Sequence, residues 1–289
     1  PAGGTDPVVI AEAGRELGGR RAMHHEGAVL VPEGPHGGEV TRVRGAPVVS
    51  CGWEVRMGAT WKVLEHGPLV QLADNLWWVD GEVPRMALRR ACTIARRDDG
   101  GLVVHSAICL DEPTQAAVEG LGPIAHVIVP NHFHRIDAPR YAARYPDARI
   151  VAPRGGRSKI ADVVRVDLTA DAFPNGDDVA VLPFDGTHGQ ENVLRVRSED
   201  GVTLVFNDAL FNVPHRSGFG GLVLRAIGSS GGPKATPIAR FGLYKDKPTA
   251  RACLEALAET PDLVRVIPGH GDIIRDDPAG VLRAVAGTL

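Results

Sequence analysis

Two histidines spaced two residues apart, His132 and His134, close an apolar run that begins at Val127 and passes through Pro130 and Asn131. On an extended backbone, residues i and i+2 project to the same face. The two imidazoles are therefore expected side by side at the end of a buried strand. Paired neutral imidazoles suit a transition metal such as zinc. A lone His-x-His also arises by chance and fits two exposed loop histidines. Three later segments repeat the pattern of an apolar strand that runs into a polar or Gly-flanked residue. Residues 179–184 lead into Asp185, Gly186, Thr187, His188 and Gly189. Residues 202–206 lead into Asn207 and Asp208, and residues 263–267 into Pro268, Gly269, His270 and Gly271. Strand ends of this kind are where layered folds place chemistry.

In their order along the chain, these four strand endings resemble the metallo-β-lactamase superfamily. Its motifs are His-x-His-x-Asp-His, then Gly-His, then an Asp after a strand, then a final Gly-His. The resemblance spans roughly residues 70–275. It implies an α/β fold, a four-layer αβ/βα sandwich with the site at one edge of two facing sheets. By this resemblance His132 and His134 match the first two histidines, Asp208 the metal-bridging Asp, and His270 the last His. Two positions depart from the motif. Where it has Asp and His, this chain has Ile136 and Asp137. Ile136 can neither bind a metal nor orient a water. Asp137 can replace the missing His as an oxygen ligand. It also opens Asp137-Ala138-Pro139-Arg140, which reads as a helix start with Asp as N-cap, and one carboxylate can serve both roles. The middle ligand has two candidates, His188 and Glu191. Neutral imidazole suits zinc better, which favours His188.

The resemblance implies a metal-dependent hydrolase. In that scheme His132, His134 and His188 bind one zinc. Asp208, His270 and Asp137 bind a second metal or hold the water, so that Asp137 and Asp208 are the catalytic carboxylates. A metal-activated water attacks an ester, lactone, amide, thioester or phosphoester of a small-molecule substrate. Ile136 keeps two other readings open. One is a degenerate, non-catalytic member that binds a ligand or partner. The other is an iron-dependent oxidoreductase on the same fold, because mixed histidine and carboxylate ligands also suit iron. One or two zinc ions, or iron, are the expected cofactors.

The elements that must position these residues fit within one substantial core, given 289 residues. Thirty-five acidic and 32 basic side chains give a formal charge of −3, which argues against a nucleic-acid partner. Arg89-Arg90 and Arg96-Arg97 read as solvated faces. No apolar run approaches the roughly 20 residues of a membrane span, and no secretory pattern is visible, so no membrane partner is expected. Cys51, Cys92, Cys109 and Cys253 form no Cys-x-x-Cys pair, which points to reduced thiols and a cytoplasmic setting. Trp53, Trp61, Trp77 and Trp78 read as core more than as an oligomer interface.

Organisation changes near residue 67. Residues 1–66 are Gly- and Pro-rich, with short strands expected at 7–10, 28–31 and 39–43, and read as an N-terminal extension or arm. Met23, His24, His25 and Glu26 within it read as surface polarity. Residues 67–289 read as the metallo-β-lactamase-like domain. Residues 72–81 read as one strand followed by a turn. Residues 91–96 and 102–105 form a hairpin about Asp98-Asp99-Gly100-Gly101, and a second hairpin turns at Glu199-Asp200-Gly201. Helices are expected over 113–121, 139–145 and 249–259, with a strand at 148–152. This alternation fits α/β layers. The Gly-rich stretch 211–237 reads as a mobile lid, a substrate-contact loop or a flexible connection, with His215 as a candidate proton carrier.

Overall fold

The computed structural model describes residues 60–84 and 86–289. The strands expected at 7–10, 28–31 and 39–43, the His24–His25 pair, Cys51 and Trp53 lie outside these residues.

Seven strands form a first sheet in chain order: β1 (Val70–Ala73), β2 (Leu76–Glu82), β3 (Arg89–Arg96), β4 (Leu102–His105), β5 (Ile124–Ile128), β6 (Arg149–Ala152) and β7 (Leu168–Thr169). Asp74 and Asn75, both turn formers, split the single strand expected at 72–81 into β1 and β2. β1 to β4 run antiparallel. From β4 onward the pairing is parallel, so each connection must cross over, and short helices supply the crossovers. These are α1 (Glu112–Glu119), α2 (Ala138–Arg144) and α3 (Arg157–Ala161). Asp111 caps α1 by accepting from the Thr114 amide.

A second sheet has the order β13-β10-β9-β8, with β8 (Val179–Pro183), β9 (Asn192–Ser198), β10 (Gly201–Val205) and β13 (Leu263–Ile267). Its β9–β10 hairpin turns at the expected Glu199-Asp200-Gly201. A small third sheet joins β11 (Phe211–Val213) to β12 (Gly232–Lys234) and β14 (His270–Gly271). The stretch 211–237 is thus folded, carrying β11, α4 (Gly218–Ala226), β12 and the start of α5 (Pro237–Gly242). Within it, His215 Nδ1 lies 3.0 Å from Ser230 Oγ.

The period-two pattern of the strands assigns every layer. Leu76, Ala95, Val103, Ile128 and Val151 of the first sheet pack against Val181, Leu194, Val205 and Ile267 of the second. Their neighbours Trp77, Ile94, Val104, Val127 and Ile150 face outward onto Val118, Tyr141 and Ile160 of the first helical layer. On the far side, Val193, Val202, Leu204 and Val266 pack against α5, α6 (Lys247–Ala258) and α7 (Pro278–Ala286). The result is the expected four-layer αβ/βα order.

Residues 60–66 contact the first sheet and its helices: Trp61 Nε1 donates to the Leu110 carbonyl at 2.8 Å, and His66 bridges to Gly81. Arg89 and Arg90 are not a solvated face. Arg89 pairs with Asp80 and Glu65, and Arg90 is only 2% exposed because β3 is covered on both sides.

Candidate metal centre

Three loops converge at one edge of the two sheets. His134 follows β5, Asp208 follows β10, and His270 opens β14 directly after β13. Asp208 Oδ1 lies 3.2 Å from Nε2 of His134 and 3.2 Å from Nε2 of His270. The two rings meet edge-on with centroids 5.2 Å apart. Glycines permit this approach. A Cβ on Gly269 would stand 2.6 Å from the backbone of Asn207, so only glycine lets the His270 loop touch the Asp208 loop. Gly271 takes φ +93 as the chain turns past His270.

The hydrogen-bond pattern asks for a cation. His270 Nδ1–H donates to the Arg89 carbonyl at 2.7 Å. In a neutral ring this leaves a bare lone pair on Nε2, facing an Asp208 oxygen that is also only an acceptor. Two lone pairs at 3.2 Å repel unless a proton or a metal ion lies between them. On the other side, His134 Nδ1 lies 3.1 Å from Ser106 Oγ, which turns its Nε2 toward the same oxygen. Ligands about 2.0–2.2 Å from one tetrahedral zinc stand about 3.3–3.6 Å apart, close to the separations here. The donor set, two imidazoles and a carboxylate, fits zinc or iron.

Electrostatics keep the donors in the binding form. Burial pushes the His134 pKa down, against the pull of Asp208, and a neutral imidazole is the metal-binding state. Burial works to raise Asp208, but the His134 and His270 side chains set against it hold it well below the usual carboxylate range, so it stays an anion.

Beneath Asp208 lies Glu191, fully buried. Its Oε1 accepts the amides of Asn207 and Ala209, and its Oε2 accepts the amide of Asp208 and Asn131 Nδ2. Asn131 Nδ2 also donates to Asp208 Oδ2 at 2.8 Å. Burial and the Asp208 charge push Glu191 upward, against these donors. Its oxygens are committed to the loop backbone, so it shapes the site from below.

The other anticipated residues do not join this cluster. His132 and His134 do not share a face. β5 stops at Ile128, and Asn131 Oδ1 accepts the amides of Phe133 and His134, which curls the chain. His134 turns inward, whereas the half-buried His132 lies against Phe133, with ring centroids 3.9 Å apart. His188 is exposed, at φ +54, in a loop whose carbonyls pack on Gly155. The Gly186–Gly189 turn carries it away from the three donors. Asp137 occupies the N-cap position of α2, yet its carboxylate makes no cap bond. It is buried in an ion pair with Arg90 and Arg140, the latter at 2.8 Å, and also accepts from Cys109 Sγ. Those partners take both its oxygens. Ile136 is exposed.

Ser106, Asn131 and Arg90 escape a motif search. The signal for Arg90 is a charge inside the apolar β3 run, and Asn131 is the polar residue directly before the first histidine.

No family model matches the sequence, and no curated protein matches it. Solved structures do resemble it. VMB-1 superposes with a TM-score of 0.56 at 14% identity, covering 78% of this chain and 99% of that one. The DIM-1 metallo-β-lactamase gives 0.52 at 13% identity, over 78% and 99% of the two chains. A metallo-β-lactamase from Pontibacter korlensis gives 0.51 at 12%, over 78% and 100%. At such identities the likeness is one of architecture: the chain has the metallo-β-lactamase fold.

Proposed function

We propose that the chain is a metal-dependent hydrolase of a small-molecule substrate, with one divalent ion held by His134, Asp208 and His270. The observation that carries this reading is the shared oxygen: both Nε2 atoms approach Asp208 Oδ1 at 3.2 Å, and the Nδ1 atoms are engaged behind them. Three protein ligands suit a catalytic site, because they leave a position open. An ion held there supplies an activated water and a Lewis acid for an ester, lactone, amide or phosphoester. The chain's own residues do the rest. Ser106 and the Arg89 carbonyl orient the two imidazoles. Asn131 holds the outer oxygen of Asp208, and Glu191 fixes the loop that presents it.

A single ion is favoured over two. Ile136 offers no donor, Asp137 is committed to Arg90 and Arg140, and neither His132 nor His188 belongs to the cluster of three donors. The buried Arg90 guanidinium also lowers the His134 pKa, so positive charge already lies beside the site.

A second reading keeps the same ligands. Two histidines and one carboxylate also form the set used by non-haem iron, which would make the protein an oxidoreductase. Inductively coupled plasma mass spectrometry on wild type and His134→Ala/His270→Ala decides between them. About one zinc per chain, lost in the variant, supports the hydrolase, and assays with p-nitrophenyl acetate and bis-p-nitrophenyl phosphate follow. Iron in the same stoichiometry supports the oxidoreductase. Wild type that takes up neither metal after incubation with each would sink both.

A further inference from the structure

The chain carries a net charge of −3, yet it contains no acidic residue between Asp208 and Asp246. That interval holds Arg216, Arg225, Lys234, Arg240 and Lys245, and none of them forms an ion pair among the described residues. The same interval folds into α4 and α5, which turn large apolar side chains outward. On α4, Phe219, Leu222 and Val223, followed by Ile227 just past its end, are exposed at i, i+3, i+4 and i+8, with Phe219 83% exposed. Their spacing puts them on one face, while Leu224 turns inward to Leu88 and Phe211. On α5, Ile238 and Phe241 are exposed, Phe241 at 81%, while Ala239 packs inward. Gly228 just past the end of α4 abuts Pro237 at the start of α5, which brings the ends of the two helices together. Lys247 Nζ stands 5.3 Å from the centre of the Phe241 ring, so a cation borders the apolar face directly.

We propose that α4 and α5 form a peripheral docking face for an anionic lipid bilayer. Outward aromatic and aliphatic side chains with basic neighbours, in a stretch without acids between Asp208 and Asp246, match a helix that lies in the headgroup region. None of the described helices is long and apolar enough to cross a membrane, so the contact is adsorption and not insertion across the bilayer. A second copy of the chain fits less well. A two-fold interface apposes a patch to itself and would set these unpaired cations against one another. The inference does not depend on the metal centre, because α4 and α5 carry none of its donors.

Co-sedimentation of the full chain with vesicles tests it. One set is phosphatidylcholine alone, the other equal parts phosphatidylcholine and phosphatidylglycerol. Binding is expected on the mixed vesicles, about tenfold or more weaker on phosphatidylcholine, and weakened by salt. Phe219→Ser/Phe241→Ser and Arg225→Glu/Lys245→Glu should each reduce binding about tenfold or more, with melting temperature unchanged because these four side chains are exposed. No sedimentation with either vesicle overturns the proposal, as does wild-type binding in both variants. A dimer seen by light scattering, abolished by the Phe pair in a chain that binds no vesicle, would assign the face to a second copy instead.

Discussion

The amide of Asp208 donates to Glu191 Oε2 at 3.0 Å, so one buried carboxyl group fixes the backbone from which another projects. Four donated hydrogens converge on Glu191. Glu191→Gln keeps the shape but turns an amide NH₂ toward two of those donors. It should cost about 2–3 kcal/mol in urea unfolding, since buried donors are left unmatched. A variant as stable as wild type would mean that the Asp208 loop holds its form without Glu191.

Ser106 touches the His134 ring on the side away from Asp208. Removing such an orienting partner typically weakens metal binding about 10–100-fold. Ser106→Ala should do so in a chelator competition, while unfolding of the metal-free chain changes by no more than about 1.5 kcal/mol. Equal affinity in the two proteins would show that the ring is held by packing alone.

Asp137 and Arg90 form a buried ion pair. Asp137→Asn leaves a guanidinium without its counter-charge and should destabilise the fold by about 3–5 kcal/mol. Replacing both, as Arg90→Met/Asp137→Leu, should recover most of that loss. Metal content should be the same in all three proteins. If Asp137→Asn alone abolished metal uptake while remaining folded, Asp137 would return to the ligand set.

His105 is buried at the end of β4, where burial, reinforced by His134, pulls its pKa from the usual 6.5 down to about 3. Between those values the unfolded chain binds a proton there and the folded chain does not. Stability contributed by neutral His105 is therefore complete above pH 6.5 and is lost as pH falls toward 3, at about 1.4 kcal/mol per pH unit. Urea titrations across this range should show a shallower acid limb in His105→Gln than in wild type. Parallel limbs would place His105 in contact with solvent.

The layers were legible because strand periodicity is a local property. Near-continuous apolar runs at residues 91–96, 102–105 and 202–206 report strands covered on both faces, and Asp-Gly pairs mark the turns. Order along the chain also singled out Asp208 and His270. Spacing misled at His132, because the same-face rule assumes an extended backbone and Asn131 bends it through hydrogen bonds that no periodicity records. Asp137 misled for a related reason. Its true partner, Arg90, lies 47 residues away on β3, and two lone charges reveal a pairing only once the sheet brings them together. His188 had the right chemistry and flanking glycines, but the turn they form leads outward.

His134 extends from the first sheet, Asp208 from the second, and His270 from the strand that joins the second sheet to the small third one. An ion held by all three would rivet the two halves of the sandwich together. Loading then becomes a contribution to folding: at a thousandfold excess over its dissociation constant it would add about 4 kcal/mol to unfolding. Chelation should accordingly loosen the seam between the sheets first, and amide exchange at Ile128, Val205 and Ile267 should accelerate ahead of the helices outside them.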